Sequence, residues 1–426
     1  MVNSAHLAFG RRGLSVDLPP GFDYTVLDVK SAQASSDAAA EIEGALDRPE
    51  ATAPLIELAR GKSSAAISVC DITRPAPNRV VLPPVLRRLE QAGIERSRIT
   101  ILIATGLHRP AGEAEIREIV GQEIARNYRV ENHDARNLAS HRYLGTTAAG
   151  TPAYVDERFV SADVRITLGF IEPHLMAGFS GGRKLVVPGL AAQETIKVLH
   201  SPKFMREPLA VEGSIESNPL HRELVEIAAM AGHQFMVDVA LARDRSIAGV
   251  FAGDPVEAHR RGVRFVSQAL LQELGEPVDA VITTSAGYPL DLTYYQTIKG
   301  ITAASHIVRD GGRILLVGAC EEGTGGPEFS RMLGEYSDPA AFLASIENGP
   351  VTVDQWQLEK LALVARRARI SYCVPGLKEE VRRQLWGPAF SDIGVAVRDL
   401  TAGLAQGSRI AVIPEGPYVL AKVRAA

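Results

Sequence analysis

This chain predicts an α/β protein of two domains with a cleft between them, and three observations carry that expectation. Apolar, β-rich runs alternate with helical patterns along almost the whole length, the rhythm of parallel strands and crossover helices. The chain has 426 residues, more than one hydrophobic core usually spans. The alternation breaks once, at Gly275-Glu276-Pro277, and then resumes. The boundary is therefore set between residues 1–273 and 274–426, with proteolysis expected to cut first near residue 275. The second unit is expected to be a smaller, mainly parallel sheet, whose last strand has the option of returning to the first domain.

In the first unit Ala66 to Cys70 is expected as a strand, Arg79 to Ala92 as a helix, and Ile99 to Ala104 and Arg165 to Leu168 as further strands. The alanine-rich stretch Ala32 to Ala40 suits either a loop or a helix start. A glycine-rich turn at Gly178 to Gly189 leads into helices at Ala192 to His200 and Pro219 to Ala231, a strand at Gln234 to Leu241 and a helix ending before Glu273. The second unit opens with a strand at Asp279 to Ser285. It continues with strands at Arg313 to Val317, Ile370 to Val374 and Ile410 to Ile413, and helices near Gln355 to Arg367 and Ile393 to Ala405.

Composition excludes several function classes. The 46 basic and 50 acidic residues nearly cancel, giving a net charge of -4 and no broad basic surface for nucleic acid. Three cysteines, Cys70, Cys320 and Cys373, without a CxxC pair, argue against a disulfide framework or a thiolate zinc site and suit a reducing cytoplasm. The N-terminal residues lack the apolar core of a signal peptide, and no later run is long enough to span a bilayer. A soluble, cytoplasmic protein is expected.

Polar residues of similar kind follow three strands: Asp71-Ile72-Thr73-Arg74-Pro75, Thr105-Gly106-Leu107-His108-Arg109-Pro110 and Glu172-Pro173-His174. Carboxyl ends of parallel strands share one edge of the sheet, where such folds form ligand crevices. His108 and His174 are thus candidates for a facing acid and base, since an imidazole titrates near neutrality. Arg74 suits a carboxylate clamp, with a structural ion pair to Asp71 as the duller alternative. The turn Gly178-Phe179-Ser180-Gly181-Gly182-Arg183-Lys184 is no Walker A loop, because Leu185 stands where the magnesium-binding hydroxyl belongs, and no GxGxxG follows a strand. Lys184 closing that turn is placed to attach or neutralise a phosphorylated cofactor, and His200, after the next helix, to ligate a metal. In the second unit Gln296 and Lys299 share one helix face. Trp356 reads as core or as a cavity wall. His6, His133, His141, His221, His233, His259 and His306 are given no catalytic role.

At these residues the chain resembles the nickel-dependent lactate racemase family, through DITRP, TGLHRP, PHLMAGFSGGRKLVVPG, LHSP, YYQTIKG and DQWQ. The resemblance implies a nickel-pincer nucleotide, Ni(II)-pyridinium-3,5-bisthiocarboxylic acid mononucleotide, held covalently through Lys184, with His200 completing the nickel coordination. It implies that Asp71, Ile72, Thr73, Arg74 and Pro188 lie against the nucleotide. His108 and His174 would be acid and base, and Arg74, Tyr295, Gln296, Lys299 and Trp356 would surround a 2-hydroxy acid. Separate cofactor-synthesis proteins are implied as partners. Two other readings stay open at this point: a nucleotide-binding protein without turnover, and a metal-dependent hydrolase or lyase with His108, His174 and His200 as ligands.

Overall fold

Two six-stranded sheets frame the computed structural model, which describes residues 3–424. The first runs in the order Ile247–Gly253, Phe235–Leu241, Val164–Phe170, Ala65–Cys70, Ile99–Ala104, Arg129–Asn132. Neighbours are parallel except at the edge, where Ile247–Gly253 pairs antiparallel with Phe235–Leu241. Ala65–Cys70 is buried at all six positions because both faces of the sheet are covered. Ile67 and Val69 pack under Val81, Leu82 and Val85 of the helix Asn78–Gln91. Ala66 faces the other way, into a core shared with Phe159, Val186, Leu190 and Leu224. The period-2 alternation of a strand thus delivers one run of apolar residues to two separate cores. Asp37 caps the helix Ala38–Asp47 by accepting from the Ala40 N–H, so the alanine-rich stretch is a helix start.

The second sheet runs Ala389–Phe390, Arg369–Cys373, Val308–Val317, Val278–Thr284, Arg409–Ile413, Asp23–Val26, parallel throughout. Residues 274–426 contribute five of its strands, one fewer than the first sheet holds, so the second unit is the smaller and its sheet is parallel. The outer strand comes from the N-terminus, which a division at 273/274 assigns to the first unit. Arg409–Ile413 pairs with Val278–Thr284 on one side only, and Asp23–Val26 satisfies its other row of backbone groups. Leu7 and Val16, from the hairpin Ser4–Leu7 and Leu14–Asp17, likewise join the core built on Ile282, Leu315 and Val412. The final strand, Leu420–Val423, pairs with Leu271–Leu274 at the junction of the two units. No helix among the described residues is long and apolar enough to cross a membrane.

Polar side chains fasten the units together away from the cleft. Lys360 Nζ donates to the carbonyls of Met205 and Ala210, both at 2.8 Å. Arg206 donates to Glu359 at 2.8 Å and also pairs with Glu347. The Glu359 side chain is 0% exposed, so Arg206→Ala leaves a buried carboxylate without its partner. The expected destabilisation is about 3 kcal/mol, read from urea unfolding of the full chain. A loss below about 0.5 kcal/mol would mean that water already reaches the pair.

Candidate active site

Val164–Phe170, Ala65–Cys70 and Ile99–Ala104 are consecutive in the first sheet, so the loops after them share its carboxyl edge. There a cavity of about 560 Å³ opens between the two units. Asp71, Arg74, His108, His174, Lys184, Pro188 and His200 line it from the first, and Tyr295, Gln296, Lys299 and Trp356 from the second. Ile72 and Thr73 do not line it. Ile72 packs onto the hydrophobic core beneath the loop, while the Thr73 hydroxyl donates to Asp71 Oδ1 at 2.6 Å and steadies that carboxylate.

The two histidines present opposite faces of the imidazole chemistry. His108 Nδ1 lies 2.7 Å from Asp71 Oδ2. Asp71 is buried and held below the ordinary carboxylate range: burial pushes its pKa up, but the bond and charge of His108, with Arg74 and Thr73, outweigh it. A carboxylate accepts, so Nδ1 carries the proton and His108 Nε2 keeps a free lone pair. At His174 the pattern reverses. Pro173–His174 pairs antiparallel with Gly178–Phe179, and the tight return brings the N–H groups of Ala177 (3.2 Å) and Met176 (3.4 Å) onto His174 Nδ1. Nδ1 is thus the acceptor, and the ring proton sits on Nε2. Burial, then the charges of Lys184, Lys299, Arg74 and Arg183, push the His174 pKa well below its ordinary value. Of the two Nε2 atoms, that of His108 is placed to take a proton and that of His174 to give one.

The glycine-rich turn brings Lys184 to the same cavity as these rings. Gly178 has φ 77° and Gly181 φ 84°, and a Cβ at either would run into the Ser214 carbonyl or the Asp238 carboxylate. The short 3-10 helix Gly182–Leu185 then carries Lys184 to the cavity. Burial, followed by Arg183, Arg74 and Lys299, pushes the Lys184 pKa down to about 7, against the opposing charge of Glu172. Lys299 is lowered to about 8 by burial and Arg74. His200 ends the helix Gln193–Leu199 and donates from Nδ1 to the Ile196 carbonyl at 2.8 Å, which leaves Nε2 free. The Trp356 ring lies 4.6 Å from it, centroid to centroid. Trp356 is both core and wall: it is 8% exposed, packs with first-unit residues and lines the cavity.

On the helix Tyr294–Ser305, Gln296 and Lys299 both reach the cavity, as their spacing predicts. Gln296 Oε1 is buried without a partner. Trp356 Nε1–H donates to the Tyr295 hydroxyl at 3.2 Å, and the Gln357 amide to the Tyr295 carbonyl at 3.0 Å, tying the two helices together at the wall. Sequence reasoning missed two acids. Glu172, raised by burial, feels Arg74, Lys299 and Lys184, and its charge opposes the cations that act on Lys184. Asp354 lines the cavity from a left-handed backbone with φ 68°. Both stand inside the motifs EPH and DQWQ, yet nothing in their spacing marks an anion within a cationic site. Among the described residues no three His, Cys, Asp or Glu side chains form a metal-holding group. That removes the support for a hydrolase using His108, His174 and His200 as a ligand set.

Fold and cavity together define a two-domain α/β enzyme, with paired histidines and converging cations suited to a small anionic substrate. Comparison with known proteins gives its family. The family model for the lactate racemase N-terminal domain matches residues 9–213, and that for the lactate racemase C-terminal domain matches residues 275–421. Lactate racemase of Thermoanaerobacterium thermosaccharolyticum is 32% identical over 421 residues, 98% of both chains. Lactate racemase of Lactiplantibacillus plantarum is 34% identical over 384 residues, 89% of this chain and 90% of the relative. The structure of the Thermoanaerobacterium lactate racemase apoprotein superposes with a TM-score of 0.92, covering 99% of this chain and 100% of that one. A Thermotoga maritima protein at 16% identity and a TM-score of 0.69, covering 92% of this chain and all of that one, shares the fold. The chain belongs to the lactate racemase family, and it is an isomerase of the racemase class.

Proposed function

We propose that the chain inverts C2 of a 2-hydroxy acid, lactate or a relative of it, beside a nickel-pincer nucleotide tethered to Lys184. The observation that carries this reading is a pair of histidines on one cavity, one with Nδ1 against a carboxylate and the other with Nδ1 against main-chain N–H groups, beside a buried, depressed lysine. The residues fit such a group. Lys184 offers an amine that is partly uncharged at neutral pH, and His200 offers one free ring nitrogen as a ligand. Among the described residues no further His, Cys, Asp or Glu completes a metal set with His200, which suits a group that brings its own donors, as a pincer would. A cavity of about 560 Å³ accommodates a mononucleotide and a small acid together.

When bound, the nucleotide supplies reversible hydride acceptance from C2. The chain's own residues do the rest. Arg74 and Lys299 hold the carboxylate and the C2 oxygen of the substrate, and Gln296, whose buried Oε1 has no partner, offers an acceptor to the C2 hydroxyl before it gives up its proton. A histidine takes the hydroxyl proton as C2 flattens, which erases the stereocentre. After the planar 2-keto acid turns over, the opposite histidine returns a proton to oxygen on the other face. Trp356 and the helix Tyr294–Ser305 close the cavity from the second unit and retain the keto acid.

Asp71 orients this chemistry at a distance from the substrate. Asp71→Asn removes the acceptor that keeps the His108 proton on Nδ1, and turnover is expected to fall about 100-fold while the cofactor stays bound. A fall below about threefold would show that Asp71 does not set the tautomer. The function itself is tested by chiral chromatography of a panel of 2-hydroxy acids, with protein made alongside the cofactor-synthesis proteins. Interconversion of the enantiomers of at least one acid is expected. Unchanged chirality across the panel in a nickel-loaded sample would leave a binding protein instead.

A further inference from the structure

Behind Lys184 lies a cation that no contacting anion neutralises. Arg183 is 3% exposed. One of its terminal nitrogens donates to the carbonyls of Ser180 at 3.0 Å and Gly181 at 3.1 Å, and the other to those of Ala177 at 3.0 Å and Phe179 at 2.7 Å. His259 Nε2 stands 2.6 Å from the same guanidinium. Carbonyl acceptors satisfy a guanidinium without cancelling its charge. Among the described residues, Asp238 is the only acid whose charge acts on Arg183, and its Oδ2 is taken by the Gly182 N–H at 2.7 Å. Burial pushes the Asp238 pKa up to about 7, so at neutral pH even this counter-charge is incomplete.

On the reading that Lys184 carries the cofactor, we propose that Arg183 is a positioning residue for that attachment: it shapes the glycine-rich turn through four main-chain carbonyls and fixes a positive charge behind the Lys184 amine, keeping the amine uncharged and nucleophilic. The groups acting on Lys184 are few. Arg74 faces it from the loop after Ala65–Cys70 and Lys299 from the helix Tyr294–Ser305. Glu172 opposes them, and His174 and His200 are neutral rings nearby. Arg74 and Lys299 line the cavity, so an incoming phosphate or carboxylate pairs with them and cancels their push on the amine. Arg183 does not line the cavity and stays unpaired when an anion enters. It is therefore the cation whose effect survives the arrival of the group to be attached.

The test uses the full chain without cofactor. Brief acetic anhydride labelling across the neutral and alkaline range is read by mass spectrometry on the Lys184 peptide, with exposed Lys62 as internal reference. The uncharged amine attacks the anhydride carbonyl, acetate leaves and the amine proton passes to solvent, so labelling follows the uncharged fraction. The expected wild-type midpoint lies near 7. Arg183→Gln should raise it by about one pH unit or more, roughly a tenfold loss of labelling at neutral pH. Arg183→Lys is a second neutralising variant, because the burial that brings the Arg183 guanidinium down to about 9 discharges a lysine amine at the same place near neutral pH, and it should raise the midpoint as Gln does. An unchanged midpoint in folded Arg183→Gln or Arg183→Lys overturns the proposal. Should Arg183→Gln fail to fold, Arg183→Lys decides alone. The tether is read separately, from the intact mass of wild-type chain made alongside the cofactor-synthesis proteins. A missing adduct with the predicted midpoints removes the tether, whereas an adduct with an unmoved Arg183→Gln midpoint removes this proposal alone.

Discussion

Lys184→Ala is expected to yield a folded chain that retains no nucleotide and whose racemisation falls at least about 1,000-fold. The Lys184 side chain makes no hydrogen bond within the described residues, and burial disfavours its charged form, so its removal costs the fold little. On the proposed tether, what is lost is the covalent link that would hold the reacting group in the cavity lined by His108 and His174. Intact mass should show the bare chain where the wild type carries an adduct of nucleotide size, while thermal unfolding without cofactor stays close to wild type. Lys184→Arg should fail in the same way, because a guanidinium keeps the charge but offers no nucleophilic amine at neutral pH. Activity within about tenfold of wild type in the alanine variant would refute the tether.

His108→Asn and His174→Asn are expected to keep the adduct and lose steady racemisation by about 100- to 10,000-fold each. The geometry predicts more than equal losses. The His108 ring is 49% exposed and backed by Asp71, whereas His174 is fastened to the main chain at Nδ1 and has no carboxylate behind it. Each variant keeps the partner that serves one face of the substrate. In a single turnover each should therefore form 2-keto acid from one enantiomer only, with opposite preference in the two variants. Rapid quench of loaded enzyme with each pure enantiomer reads this directly. Keto acid formed from both enantiomers by either variant would mean that the two rings do not divide the faces between them.

The carboxyl-edge chemistry was legible because buried parallel strands are written as continuous apolar runs, and Ile99–Ala104 falls on the expected residues. Once three such runs are recognised, the sheet places Asp71, His108 and His174 along one edge without further information. The N-terminal strand was not legible. Asp23–Val26 alternates, with Tyr24 and Val26 packed on the core, but four residues are too short a run to mark a strand, and only the unpaired edge of Arg409–Ile413 explains it. Side-chain placement was similarly hidden: Ile72 and Thr73 share a loop with Asp71 and Arg74 yet do not line the cavity, Ile72 packing on the core and Thr73 bonding to Asp71. Arg183 was overlooked beside Lys184, and His259 was set aside, because a cation satisfied by carbonyls leaves no spacing or charge pattern in the sequence.

The central claim is that inversion passes through a planar keto acid while the C2 hydrogen never becomes a solvent-exchangeable proton. Racemisation by loaded enzyme in deuterium oxide, followed by proton NMR and mass analysis of the product acid, tests it most directly. The account predicts full loss of optical activity with ordinary hydrogen retained at C2. Deuterium appearing at C2 in step with inversion would contradict it, and would make His108 and His174 bases acting on carbon rather than on the hydroxyl.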